Sequence, residues 1–238
     1  MIDKSLQSPM VTINACFPRS GHRFLRQLVA KALGNDFRFC DYHPVGDGSN
    51  INKQQLDKAN YVKAHDFEVL GPRILEAEFG EKRRFLIQVR HPLFSIASYY
   101  EFALKHGFVP QDTKSAWMAF LQSRLEYWKN FVDAWVIKNQ EAHNFLLVTY
   151  EDLASSPLNE LRKVLTFLQP SNNYSDSELL DVINQVPFYQ YSNEEESEKQ
   201  SLRRLTSFPY FDKKVFSKIE KELAGRYLAP VNIDTVFR

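Results

Sequence analysis

The chain has few cysteines and almost no net charge, and each shortage narrows what it can be. Two cysteines in 238 residues, Cys16 and Cys40, cannot staple a domain of this size. Free thiols suit a reducing cytoplasm better than a secreted, disulfide-held fold, so a cytoplasmic location is expected and no bridge between the two. Lysine and arginine number 30 against 29 acidic residues, a formal charge of +1, so the overall balance gives no field that would draw the chain to nucleic acid or to an anionic membrane. No apolar run approaches the roughly 20 residues that span a bilayer, and the leading MIDKSLQSPM has no cationic segment followed by a signal-length apolar stretch. No repeat, low-complexity tract or linker divides the sequence. With 44% hydrophobic residues it can bury one continuous core. A single domain over residues 1–238 is expected, with no nucleic-acid partner and no stable membrane insertion. Oligomeric state has no signature.

What is present begins with Val11 to Leu33. An apolar, β-branched run leads into Pro18-Arg19-Ser20-Gly21-His22-Arg23, and then Phe24, Leu25, Leu28, Val29, Ala32 and Leu33 recur at helical spacing. This reads as strand, tight basic turn and helix, which aims the free N–H groups and positive end of a helix at an anion, with phosphate the natural ligand. Further strands are expected at Phe37 to Cys40, Asn60 to Lys63, Arg84 to Val89 and Phe145 to Thr149. A turn-rich surface loop is expected at Asp41 to Asn52. Helices are expected at Gly71 to Phe79, Leu93 to Lys105, Ser115 to Lys138, Pro157 to Leu168, Ser177 to Val186 and Lys213 to Tyr227. The aromatic stripe of the third of these, Trp117 to Trp135, reads as core. Asn193 to Glu198 reads as a solvated acidic face. Alternating strands and helices give an α/β fold with a mainly parallel central sheet flanked by helices, and such sheets carry their functional loops at the strands' carboxyl ends.

Four short segments fall at those ends: the PRSGHR turn, Lys63-Ala64-His65, Arg90-His91-Pro92 and Thr149-Tyr150-Glu151-Asp152. Each alone has a bland reading. Ser20 could simply cap a helix, Arg90-His91-Pro92 could be a structural turn, and a lone His65 is more often a satisfied histidine than a base. Together, and in this order, they resemble the sulfotransferase family that uses 3′-phosphoadenosine 5′-phosphosulfate (PAPS), with its P-loop-like nucleotide-binding fold. The resemblance lies in Pro18-Arg19-Ser20-Gly21 with Phe24 following, and in Arg90 with Ser98 eight positions on before Tyr99-Tyr100. Lys63-x-His65 stands upstream of that arginine, and Tyr150 to Leu153 is followed by Pro157 and its helix.

The resemblance implies a metal-independent transfer of a sulfuryl group from PAPS to the hydroxyl of a small molecule or glycan, with 3′,5′-ADP as the other product. It implies His65 as general base, with Arg19 and Lys63 stabilising charge around the transferring group. The N–H groups of Ser20, Gly21, His22 and Arg23 would hold the 5′-phosphate, and Arg90 and Ser98 the 3′-phosphate. Phe24 would stack on the adenine and Tyr150 would border it. Arg203 and Arg204 stand where the family closes a basic loop over the 3′-phosphate, although the pair also reads as a balance to the acidic run before it. The segments Asp41 to Asn52, Glu101 to Lys114 and Tyr189 to Ser201 would line the acceptor site, and arginine at position 19 tilts the acceptor toward carbohydrate.

Three features depart from the family. Arg19 replaces the commoner lysine, and a guanidinium stabilises charge without serving as an acid. His22 and Arg23 stand where hydroxyl residues are usual, and the C-terminal basic loop is reduced. Two other readings compete. A P-loop kinase needs G-x-x-x-x-G-K-[ST], whereas here the cation precedes Gly21 and Arg23 stands in the magnesium-binding place. A non-catalytic nucleotide-binding relative would account for the altered pair, but sits poorly with the retention of both Lys63 and His65. No His, Cys, Asp or Glu set has metal-ligand spacing along the chain, so no metal is expected.

Overall fold

The computed structural model describes residues 10–42, 53–67, 69, 71, 83–186 and 205–237. Five strands, β1 (Val11–Cys16), β2 (Phe39–Tyr42), β3 (Tyr61–Ala64), β4 (Arg83–Val89) and β5 (Phe145–Thr149), form one sheet in the order β2-β3-β1-β4-β5. Every adjacent pair is parallel. The chain leaves β1, builds β2 and β3 on one side, and crosses back to build β4 and β5 on the other. The carboxyl end of the central β1 is therefore the switch point, where open parallel sheets form their binding crevice.

Helices cover both faces: α1 (His22–Leu33), α2 (Lys53–Lys58), α3 (Pro92–Lys105), α4 (Lys114–Trp135), α5 (Tyr150–Ser155), α6 (Pro157–Leu168), α7 (Asp176–Asn184) and α8 (Lys213–Leu223). Strand alternation separates two cores. Ile13, Ala15, Phe85, Ile87 and Val89 pack with the aromatic side of α4 and with α8. Leu86 and Val148 pack with α1, α6 and α7. The α4 stripe is core as expected, with Trp117, Trp128, Phe131 and Trp135 no more than 1% exposed. Truncating one of these rings to alanine would cost about 3–5 kcal/mol.

Some expected boundaries move. Asp41 and Tyr42 belong to β2 rather than to a loop, because Asp41 stands in register with Lys63 of β3 and Tyr42 with Ala64. The Tyr150-Glu151-Asp152 string opens α5, with the Thr149 hydroxyl accepting from Asp152 N at 2.9 Å as its cap. The last helix yields to a π-helical turn, Ala224–Leu228. Helix α2 falls in a stretch left unassigned from sequence. Both cysteines are free and buried, and among the described residues no helix is long and apolar enough to cross a membrane. The expected acidic face, the Tyr189 to Ser201 segment, Arg203, Arg204, residues 43–52 of the expected loop and residues 72–79 of the expected Gly71 to Phe79 helix lie outside the described residues.

Candidate active site at the strand ends

The site begins with the turn that leaves β1. Arg19 and Gly21 both hold positive φ, 67° and 82°. A Cβ on Gly21 would stand 2.6 Å from the Tyr150 ring, so only glycine suits both the backbone and the space. Gln88 braces the turn at two points: its carbonyl accepts from Phe17 N at 3.1 Å and its Nε2 donates to Ser20 O at 2.9 Å. It is the one polar residue in the otherwise apolar FLIQV run of β4, and that was the available sequence signal for its role. Helical bonding starts with Phe24 and Leu25 donating to Gly21 O. The N–H groups of Gly21, His22 and Arg23 make no hydrogen bond among the described residues, and neither does the fully buried Ser20 Oγ. Unpaired donors at a helix start are what an anion satisfies.

A second cation faces the same turn. Arg90, just past β4, lies with its guanidinium 4.0 Å from the centre of the Tyr150 ring, and its buried Nε has no partner among the described residues. Arg19 Nε donates to Ser98 Oγ at 3.0 Å, and its guanidinium also lies over Phe102, 5.4 Å from the ring centre. Burial first, and the Arg90 charge second, lower the Arg19 pKa. Two cations directed at one space repel each other, and an anion between them relieves that cost.

The third part hangs from β3. Lys63 lies in β3 and His65 one residue past its end. Lys63 is buried, and its Nζ is 3.0 Å from Asp41 Oδ1. His65 Nδ1 lies 2.6 Å from Cys16 O. A carbonyl only accepts, so Nδ1 carries the proton and the imidazole lone pair is on Nε2, the form a general base requires. The His22 ring packs edge-on against His65, with centroids 5.3 Å apart. Burial, with Lys63 next, takes the His22 pKa down to about 4, which keeps the ring neutral near neutral pH. Behind both rings lies Cys16, whose Sγ is 3.4 Å from His65 Nδ1. Burial pushes that thiol up to about 12, against the opposing pull of Lys63. Beyond His65 the half-exposed Phe67 ring follows at 5.4 Å and leads to Tyr127, at the edge of a cleft of about 670 Å³ on α4.

The fold thus brings Arg19, Ser20, Gly21, His22 and Arg23 together with Lys63, His65, Arg90, Ser98 and Tyr150. Phe24 is 4% exposed and packs in the core with Leu25, Leu28 and Val29, because α1 turns that stripe onto the sheet. Sequence reasoning missed Gln88, Cys16 and Phe67, and it included Asp41 and Phe102 only within segments expected to line the acceptor site, without their contacts to Lys63 and Arg19. It also found no metal-ligand spacing, whereas folding gathers ligand atoms of Cys16, His22 and His65 within 4.8 Å of one another.

Comparison with known proteins gives one consistent picture. The model of the family described as "Sulfotransferase domain" matches residues 12–230. A 3-beta-hydroxysteroid sulfotransferase of Cavia porcellus is 25% identical over 214 residues, covering 84% of this chain and 72% of that protein. Sulfotransferase 1B1 of Canis lupus familiaris is 27% identical over 209 residues, covering 79% of this chain and 68% of that protein. Among solved structures, mouse sulfotransferase SULT7A1 complexed with PAP superposes with a TM-score of 0.66 at 16% identity, covering 92% of this chain and 86% of that one. At that identity the superposition speaks for the fold.

Proposed function

The chain belongs to the sulfotransferase domain family and is a sulfotransferase, and from that premise we propose that it moves a sulfuryl group from PAPS to a hydroxyl acceptor, releasing 3′,5′-ADP. The observation that carries this reading is the pairing of two guanidiniums, Arg19 and Arg90, with no carboxylate within ion-pair distance among the described residues, around one turn of positive φ, with a base-competent His65 beside it.

In this reading the acceptor oxygen attacks sulfur while His65 Nε2 takes its proton. As the bond from sulfur to the 5′-phosphate oxygen breaks, charge grows on the leaving phosphate, where Arg19 and the N–H groups of Gly21, His22 and Arg23 stabilise it. Lys63 adds positive potential, moderated by its Asp41 partner. Arg90 and Ser98 hold the 3′-phosphate, and the Arg19 to Ser98 bond links the two phosphate positions. Tyr150 supports Arg90 and borders the adenine. The reduced C-terminal pair Arg203 and Arg204 would close over the same phosphate. No step needs a metal.

For the acceptor, a relative named for steroids and the exposed Phe67 beside His65 support a small alcohol or phenol with an apolar body ahead of a glycan. A thermal-shift panel tests the donor. Stabilisation by 3′,5′-ADP, with little from ADP or ATP plus magnesium, supports PAPS; the reverse ranking overturns it in favour of a kinase. Turnover of labelled PAPS against alcohols, phenols and sugars then separates an enzyme from a binding relative and identifies the acceptor class.

A further inference from the structure

Cys16, His22 and His65 come from three places in the chain and meet behind the proposed acceptor position. We propose that these three residues form a site for one thiophilic divalent cation of the Zn²⁺ type, and that filling it switches off proton transfer by His65. The donor set is one sulfur and two imidazoles, which Zn²⁺ and Co²⁺ accept with a fourth position left for water. In a tetrahedral zinc site with ordinary bond lengths, sulfur and nitrogen ligands stand about 3.5 Å apart. The Cys16 Sγ to His65 Nδ1 distance is already 3.4 Å, and the set as a whole spans no more than 4.8 Å. His22 Nδ1 is buried with no hydrogen-bond partner among the described residues, so that nitrogen gives up no bond on binding a metal. Cys16 forms the floor, and the half-buried histidines leave a way in.

On binding, the S–H bond of Cys16 breaks and its proton leaves to solvent, a metal–sulfur bond forms, and each neutral imidazole gives one lone pair. Nothing is oxidised or reduced. Lys63 opposes the incoming charge and its partner Asp41 offsets it. If the metal takes His65 Nε2, the lone pair needed for catalysis is spent. If it takes Nδ1, the proton there moves to Nε2, which then cannot accept another. Either geometry removes the base, so the cation inhibits.

The inhibitory half rests on His65 being the base, but the site itself does not, and the experiment separates the two. Co²⁺ is titrated anaerobically into the full chain and followed by absorption. A thiolate-to-cobalt charge-transfer band saturating at one equivalent, absent in Cys16→Ser and requiring about tenfold or more Co²⁺ in His22→Asn, supports the site. No such band in the folded wild-type chain overturns it. His22 is less buried than Cys16, so its variant keeps the test readable if Cys16→Ser folds poorly. Zn²⁺ inhibition of turnover, each variant compared with its own metal-free rate, should weaken in the same order. A cobalt band without zinc inhibition overturns the coupling to His65 while leaving PAPS binding, read by the thermal-shift panel, a separate question.

Discussion

Arg90 and His91 are neighbours in the chain and opposite in what surrounds them. Arg90 turns to the strand-end crevice, where its charge meets a tyrosine ring, and among the described residues no carboxylate stands within ion-pair distance. His91 turns the other way, where its Nε2 lies 2.8 Å from Glu220 Oε1 and both residues are 1% exposed. The same Glu220 accepts Val236 N at 3.0 Å and Phe237 N at 2.8 Å, so one carboxylate ties the β4 turn, α8 and the last described residues together. On the other flank, Glu151 accepts from His91 N at 3.0 Å. In the second region one buried carboxylate is satisfied by an imidazole and two N–H groups, although His91 Nδ1 and Glu151 Oε2 have no partner among the described residues. In the first, among the described residues, two guanidiniums have no carboxylate within ion-pair distance, and three N–H groups and a serine hydroxyl have no hydrogen-bond partner. Buried polar groups left short of partners cost stability, and a whole cluster of donors and cations held at that cost marks a place where an anion supplies the missing bonds. Within a motif as short as Arg90-His91-Pro92, one residue belongs to chemistry and the next to architecture.

The sharpest break between the regions is His65→Ala, which should reduce turnover on the order of 10²- to 10⁴-fold while leaving 3′,5′-ADP binding nearly unchanged. Steady-state kinetics beside a binding titration reads both, and unchanged turnover would remove His65 from the mechanism. On the architectural side, Glu220→Ala leaves His91 and two N–H groups in an apolar pocket and should cost about 3–5 kcal/mol in denaturant unfolding. The folded fraction should still bind 3′,5′-ADP; a selective loss of nucleotide binding at full stability would place Glu220 in the nucleotide site. Next in size, Arg90→Ala should weaken 3′,5′-ADP by about 1.5–3 kcal/mol, the range for a hydrogen bond to a charged group, and 5′-AMP far less. Equal losses for both nucleotides would overturn its assignment to the 3′-phosphate.

The contrast also explains what could be read without coordinates. The strand, turn and helix at Val11 to Leu33 were legible because hydrophobic period and turn chemistry are local, and the helices bearing the Trp117 and Pro157 segments were legible for the same reason. The crevice residues at the strand ends were legible through motif order. The strand order was not, since parallel pairing joins residues far apart in sequence. Nor was Asp41, whose place in β2 depends on a register with Lys63 that no local pattern carries. The Cys16, His22 and His65 cluster was invisible because Cys16 and His65 are 49 positions apart and the pairing of β1 with β3 alone brings them together.

The smallest expected effect lies inside the architectural region and tests whether its two carboxylates are equivalent. Burial alone would raise the Glu220 carboxyl, but the His91 hydrogen bond and the Val236 and Phe237 N–H groups outweigh it and hold it below the usual carboxylate range. Its folded-state pKa is depressed, so its stabilisation is complete above the unfolded value near 4.3 and is lost as pH falls through the lowered one. Glu151 has the opposite sign. Burial raises it, with Arg90 and the His91 N–H only partly compensating, so its ionisation costs stability that grows as pH rises from the unfolded value through the raised one. Urea unfolding across the acid range should therefore show Glu220→Gln losing ground to wild type as pH rises, and Glu151→Gln gaining ground. Parallel slopes for the two variants would mean that the two carboxylates flanking His91 are equivalent, and that Glu151, the nearer to Arg90, belongs electrostatically to the architectural region alone.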